Sequence, residues 1–149
     1  MRNVLLVIHI AAAGIWLGAS VTQMVVAPML TRQSGEVAAA WMTASMNLAK
    51  RLYPVAGVVI LAAGIGLVLV SDVYGFADVF VGIGIAVIIL AGILGGRVFG
   101  PAAAQAADAY RSGDTTAGRA ASVKIARFGI LDVVLLLVAT TAMVAKWGV

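Results

Sequence analysis

The 149-residue chain has no cysteine, a single histidine, three prolines and few charges. Without cysteine, disulfides, thiolate metal sites, iron–sulfur clusters and cysteine nucleophiles are all excluded. Charged residues are 11% of the chain, against about 25% in an ordinary soluble domain. No nucleophile–base pair or phosphate-binding loop stands out. The glycines follow no strand, so they form no dinucleotide fingerprint. The net charge of +4 does not point to nucleic acid, because the basic residues flank apolar segments and read as topology signals.

What the chain has in quantity is apolar surface. Hydrophobic residues make up 63% of it and the mean hydropathy is +1.11, more than a soluble fold of this length can hide. Four segments have the roughly 20 mainly apolar residues that a spanning helix needs: about 4–27, 52–71, 76–96 and 128–146. The first is longer than the apolar core of a signal peptide and reads as a retained span. Residues 72–75 (DVYG) form a tight turn between spans two and three; the other two connections are longer and polar.

The charges orient the bundle. Arg32, Lys50 and Arg51 lie in one long connection, and Arg97, Arg111, Arg119, Lys124 and Arg127 in the other. The opposite side carries only Arg2 and Lys146 among the basic residues, with Asp72 and Asp78. Positive charge is retained in the cytoplasm, which predicts both termini outside. Residues 36–52 and 101–113 are rich in helix formers, and Asp114 is a candidate N-cap for a helix leading into span four. Spans two to four are therefore expected to continue as helices into the cytoplasm, with breaks near Pro54 and Gly100–Pro101. Tyr74, Phe76 and Trp147 are expected at the outer interface, Tyr53, Phe99 and Phe128 at the inner one. The small-residue steps Gly92–Gly96–Gly100, Gly14–Gly18, Gly82–Ala86 and Ala62–Gly66 predict close helix contacts, either within one bundle or between copies.

His9 is the first candidate for chemistry. On a helix it shares a narrow stripe with Trp16, Ser20 and Gln23, and a polar stripe inside a membrane turns toward protein or cofactor. Its imidazole can be a structural hydrogen-bonding group, a haem or metal ligand, or a proton relay. A second ligand, if there is one, is Met143, at a similar depth in span four; His/Met pairs serve haem iron and also suit copper. The plain alternative for Met143 is gap-filling in the core. Asp132 is the one acid clearly inside a span. Arg97 is its expected partner in an ion pair joining spans three and four, with a proton path as the alternative.

The stretch HIAAAGIWLG (9–18) resembles the first span of the copper-resistance protein D group and related uncharacterised bacterial integral membrane proteins. RLYPVAGVVILAAGIGLVL (51–69) is similar to their second span, and AMVAKWG (142–148) to the end of the uncharacterised relatives. The resemblance covers most of the chain. It implies a bacterial inner-membrane protein that handles haem b or copper. The chain is also similar to the haem-b membrane protoporphyrinogen IX oxidase family in the His9–Trp16 spacing and in Arg51 and Tyr53 ahead of span two. It departs from that family where a lysine belongs in span three, since residues 76–96 contain no basic residue. The departure argues against the oxidase reaction and leaves haem binding at His9 in place.

The expectation is one all-α domain, residues 1–149: a four-helix transmembrane bundle, N-out/C-out, partnered by the bilayer and by further copies or a larger complex. The site residues would be His9, Trp16 and Met143, with haem b or copper as cofactor. A non-catalytic accessory subunit is the alternative.

Overall fold

The computed structural model describes residues 1–148, all of whose regular structure is helical. The helices are α1 (Arg2–Leu30), α2 (Gly35–Asn47), α3 (Tyr53–Leu69), α4 (Val79–Leu94), α5 (Gly100–Arg111) and α6 (Thr115–Ala145). A π turn at Leu48–Leu52 carries α2 directly into α3, and another at Gly95–Phe99 carries α4 into α5. The chain thus has four helices long and apolar enough to cross a membrane: Arg2–Leu30, Gly35–Leu69, Val79–Arg111 and Thr115–Ala145.

The two π turns have a common cause. Pro54 and Pro101 lack an N–H, and each ring crowds the carbonyl four residues back. Those carbonyls belong to Lys50 and Arg97, both inside the π turns. A locally widened turn relieves the crowding without ending the helix, so the expected breaks take the form of bulges in continuous rods.

Each of the three long rods spans about 50 Å at 1.5 Å per residue, well beyond a hydrocarbon core of about 30 Å. The excess length builds a second layer. In the first layer α1, α3, α4 and the C-terminal half of α6 surround Ala12, Trp16, Ala56, Ile60, Val87, Ala91, Leu136 and Ala139. In the second, α2 and α5 pack with the N-terminal half of α6 around an alanine-rich core of Ala38, Ala39, Met42, Ala106, Ala107, Tyr110 and Ala121. Asp114 caps α6 as its sequence position suggests, its Oδ1 accepting the Ala117 N–H at 2.9 Å.

Lipid gives helices little hydrophobic reason to associate, so contact area depends on how closely backbones approach. In α1 and α3 the approach is made by seating rings on glycines. A Cβ on Gly57 would lie 3.0 Å from the Trp16 ring, and one on Gly64 would lie 3.1 Å from His9 Cε1. Both pairs are seven residues apart, and their reversed order shows that the two helices run antiparallel. By contrast, a Cβ at Gly14, Gly18, Gly82, Gly92 or Gly96 would meet nothing. These steps lie on the outside of the bundle, among exposed residues such as Ile15, Val21, Ile89 and Ile93.

The link between α3 and α4 is longer than a DVYG turn. Helix stops at Leu69 and resumes at Val79, because local polar groups take over the backbone. Ser71 Oγ accepts the Val73 and Tyr74 N–H groups at 3.2 and 2.9 Å, and Asp78 Oδ2 accepts that of Gly75 at 2.8 Å. Lys146 closes α6 in the left-handed conformation, φ 52°, and its Nζ lies 4.9 and 4.5 Å from the Tyr74 and Phe80 ring centroids.

Replacing Gly57 with leucine forces the Trp16 ring off its seat and is expected to cost about 1–3 kcal/mol. Gly18→Leu, which enters open space away from the cavities of the bundle, should show no such loss. Denaturant unfolding of both variants in detergent, followed by helical circular dichroism, measures the difference.

Candidate functional site

The stripe His9, Trp16, Ser20, Gln23 does turn into the bundle: Trp16 and Ser20 are buried, and His9 and Gln23 are half-buried. It does not serve one site. Two cavities open at opposite ends of the four-helix layer: His9 lines one, Ser20 and Gln23 line the other, and Trp16 lines neither.

The first cavity, of about 450 Å³, lies at the end bearing the chain termini. His9 and Met143 both line it, so the structure brings these two candidates together. His9 Nδ1 lies 2.9 Å from the Ile60 carbonyl oxygen. A carbonyl can only accept, so Nδ1 carries a proton, and in the neutral ring the lone pair is on Nε2. No hydrogen bond to Nε2 forms among the described residues. A backbone carbonyl bonded to one ring nitrogen is the usual arrangement for fixing the tautomer of a ligating histidine. Gly64 gives the ring its space, and Gly84 does the same for the Met143 methyl, which a Cβ there would strike. Most of the remaining wall is aliphatic or aromatic, and Arg2 and Lys146 stand among the lining residues.

Trp16 is not part of that lining. Its indole Nε1–H donates to Asp132 Oδ2 at 3.1 Å. Ser20 Oγ lies 3.2 Å from the same oxygen and 3.4 Å from the Tyr53 hydroxyl, which also receives the Gln23 amide N–H. Each hydroxyl has one proton to give. The arrangement that satisfies all three groups runs Gln23 to Tyr53 to Ser20 to Asp132. The Tyr53 ring meets Trp16 edge-on, centroids 5.2 Å apart and planes at 60°.

The expected Asp132–Arg97 ion pair is not formed. Arg97 is exposed on the π turn, whereas Asp132, only 4% exposed, faces α1. The one salt bridge among the described residues joins Arg111 and Asp108 within α5. A buried carboxylate is tolerable only where donors meet it, and the donors are on α1. Tyr53, expected at the inner interface, is also drawn into this network.

The second cavity is a groove of about 560 Å³ facing the α2–α5 layer. Asp132, Ser20, Gln23 and Tyr53 lie along it, as do Trp41, Ser122, Arg32 and Arg119. Two buried atoms of its lining residues have no partner among the described residues: Asp132 Oδ1 and Trp41 Nε1. Reading the sequence alone missed Tyr53, Trp41 and the two glycine seats. The signal for the seats was available, because the Gly57–Gly64 interval repeats the His9–Trp16 interval.

Comparison with protein-family models, with curated proteins and with solved structures gives no match to this chain. Its class is set by its architecture alone: an all-α bundle with four helices of membrane-crossing length and composition.

Removing the Trp16 N–H with Trp16→Phe takes one donor from a buried carboxylate and should cost about 1–3 kcal/mol. Ser20→Ala should cost a similar amount. The two losses should be non-additive, because both donors serve one oxygen. A double-mutant cycle by detergent unfolding checks this.

Proposed function

We propose that the protein is a bacterial inner-membrane haem-b binder, inserted with both termini outside and the α2–α5 layer in the cytoplasm. The basic residues support this orientation. Eight of the ten lie in the connections at the α2–α5 end, and such loops stay in the cytoplasm.

One observation carries the haem reading: a histidine whose Nδ1–H is bound to the Ile60 carbonyl at 2.9 Å and whose Nε2 makes no hydrogen bond among the described residues, on the wall of a largely apolar 450 Å³ cavity. The residues fit haem b in kind. His9 would be the axial ligand, with Met143 as candidate for the second position. Gly64 and Gly84 keep the walls flat, and Arg2 and Lys146 would meet propionates. Bound there, haem supplies one-electron redox chemistry, whose potential a His/Met pair raises. The chain's own part is to hold the imidazole in one tautomer, exclude water with aliphatic walls, and neutralise the acidic edge at the cavity mouth. The role that follows is electron transfer or porphyrin handling, in line with the resemblance to the copper-resistance protein D group.

Copper is the weaker cargo. Among the described residues no group of three or more His, Cys, Asp or Glu side chains comes together, which leaves His9 and Met143 as its donors in the cavity. The open glycine steps of α1 and α4 support a further element of the proposal: these faces pack against a second copy or another membrane subunit, because small-residue steps let helix backbones approach closely.

Purified protein supplied with haem is expected to show a Soret band that His9→Ala abolishes and Met143→Ala shifts. A wild-type protein that stays colourless, or a His9→Ala variant that keeps the band, would overturn the assignment. A colourless protein that binds Cu(I) stoichiometrically would move it to copper.

A further inference from the structure

The groove beneath Asp132 is unexplained by a site at His9. It is long and graded. Arg32 and Arg119 stand at its α2–α5 end and Asp132 at its deep end. Thirteen residues of α6 separate Arg119 from Asp132, about 20 Å of helix. Between them polar groups recur: the Trp41 indole, and the hydroxyls of Ser122, Tyr110 and Tyr53. A volume of about 560 Å³ holds a file of waters at about 30 Å³ each.

Two orphaned polar groups belong to residues that line this space. Asp132 is 96% buried, and its Oδ2 is bonded to Trp16 and Ser20. Its Oδ1, also buried, has no partner among the described residues, nor does Trp41 Nε1. Leaving a buried carboxylate oxygen bare is costly, and more so if it is charged. An acyl chain entering the groove could satisfy neither atom, because it neither donates nor accepts. Water does both.

The groove also stops. Beyond Asp132, toward the chain termini, lie Trp16, Ile60, Leu136 and Ala139, all buried and in mutual contact. Apart from Trp16, whose only polar group is committed to Asp132, this layer offers side chains without donors or acceptors.

We infer that the groove is a hydrated half-channel that brings protons from the α2–α5 end to Asp132, a protonation site within the four-helix layer closed off from the other end. A hydronium at the inner end transfers its proton to Asp132 Oδ1, leaving water and a neutral carboxyl. The reverse step returns the proton to the same file. Oδ2 keeps its two donors throughout, so the carboxyl stays in place in both states. The ionisable groups facing the groove are Arg32 from the turn between α1 and α2, Tyr53 from α3, Tyr110 from α5, and Arg119 with Asp132 itself from α6; Trp41 from α2 and Phe99 add none. The two arginines lie at the entrance, and Asp132 is the only carboxylate lining the file among the described residues. The inference stands on the groove and its orphaned atoms, and is independent of haem at His9.

The absence of native cysteine permits a direct test in the full chain. Single cysteines are placed at Ser122, Gly129 and Ser20 along the groove, at Leu136 in the seal, and at exposed Thr115 as the accessible reference. A membrane-impermeant maleimide is applied to vesicles from the face that labels Thr115→Cys. Labelling is expected to continue through Ser122→Cys and Gly129→Cys to Ser20→Cys and to be lost at Leu136→Cys. In parallel, dicyclohexylcarbodiimide, which attacks protonated membrane carboxyls, is expected to modify Asp132. That modification should decline as pH rises and disappear in Asp132→Asn, whose near-identical shape keeps the fold; circular dichroism confirms the helix content. Labelling that ends at Ser122→Cys, with the deeper cysteines taking only a lipophilic maleimide, would mean an acyl-filled groove and overturn the inference. Labelling of Leu136→Cys at the same rate as Ser20→Cys would overturn the closed end, and an Asp132 inert to carbodiimide at every pH would overturn its protonation.

Discussion

A carboxylate buried among apolar helices constrains this protein more than any other single feature. Asp132 sits where its charge or its proton must be met by protein or by water. Two of the donors that meet it come from α1, spaced four residues apart on one face. This pins the rotation of α1 about its own axis. The same face then brings His9 against α3 two turns further on, so the position of the imidazole depends on a bond made elsewhere. Ordinary packing among valines and leucines would leave that rotation nearly free, because one aliphatic face is much like another.

The glycines of α3 complete the arrangement. A bond from Trp16 to Asp132 fixes the indole laterally, and Gly57 fixes how near α3 can come. Gly64 repeats the device for the histidine, and Ile60, between the two glycines, supplies the carbonyl that selects the tautomer. Three residues on one face of α3 thereby set the distance, the orientation and the protonation pattern of the single imidazole. The alanine core of the α2–α5 layer applies the same rule of close backbones where no charge is involved.

Much of the fold was legible from the sequence. The four apolar segments, the helical continuation beyond them and the Asp114 cap follow from length, composition and local capping chemistry, all of which are properties of contiguous residues. The inward turn of the His9 stripe was legible for the same reason, since periodicity on one helix is local. What failed was pairing across helices. Arg97 was matched to Asp132 by depth, but helical rotation decides which side chains meet, and the π turn before Pro101 leaves Arg97 exposed. Tyr53 was assigned to an interface from its place near the end of an apolar run, and that its hydroxyl also joins the Asp132 network was not legible there. The glycine steps were read as contacts within one bundle or between copies; Gly66 of the Ala62–Gly66 step meets Leu5 of α1, whereas the steps on α1 and α4 meet nothing within the bundle. Spacing alone does not record which side of a helix its neighbours occupy.

The two layers are joined in an unequal way. α2 and α3 meet through a π turn, and so do α4 and α5, but α6 passes from one layer to the other with its hydrogen-bond ladder unbroken from Thr115 to Ala145. A π turn is a local widening, a place where pitch and direction are already irregular. A swivel of the outlying layer that spares the regular ladder would turn about α6, the one helix among the described residues that runs through both layers without a π turn. Asp132 is mounted on that helix, so the carboxylate lies close to the pivot and would be displaced least.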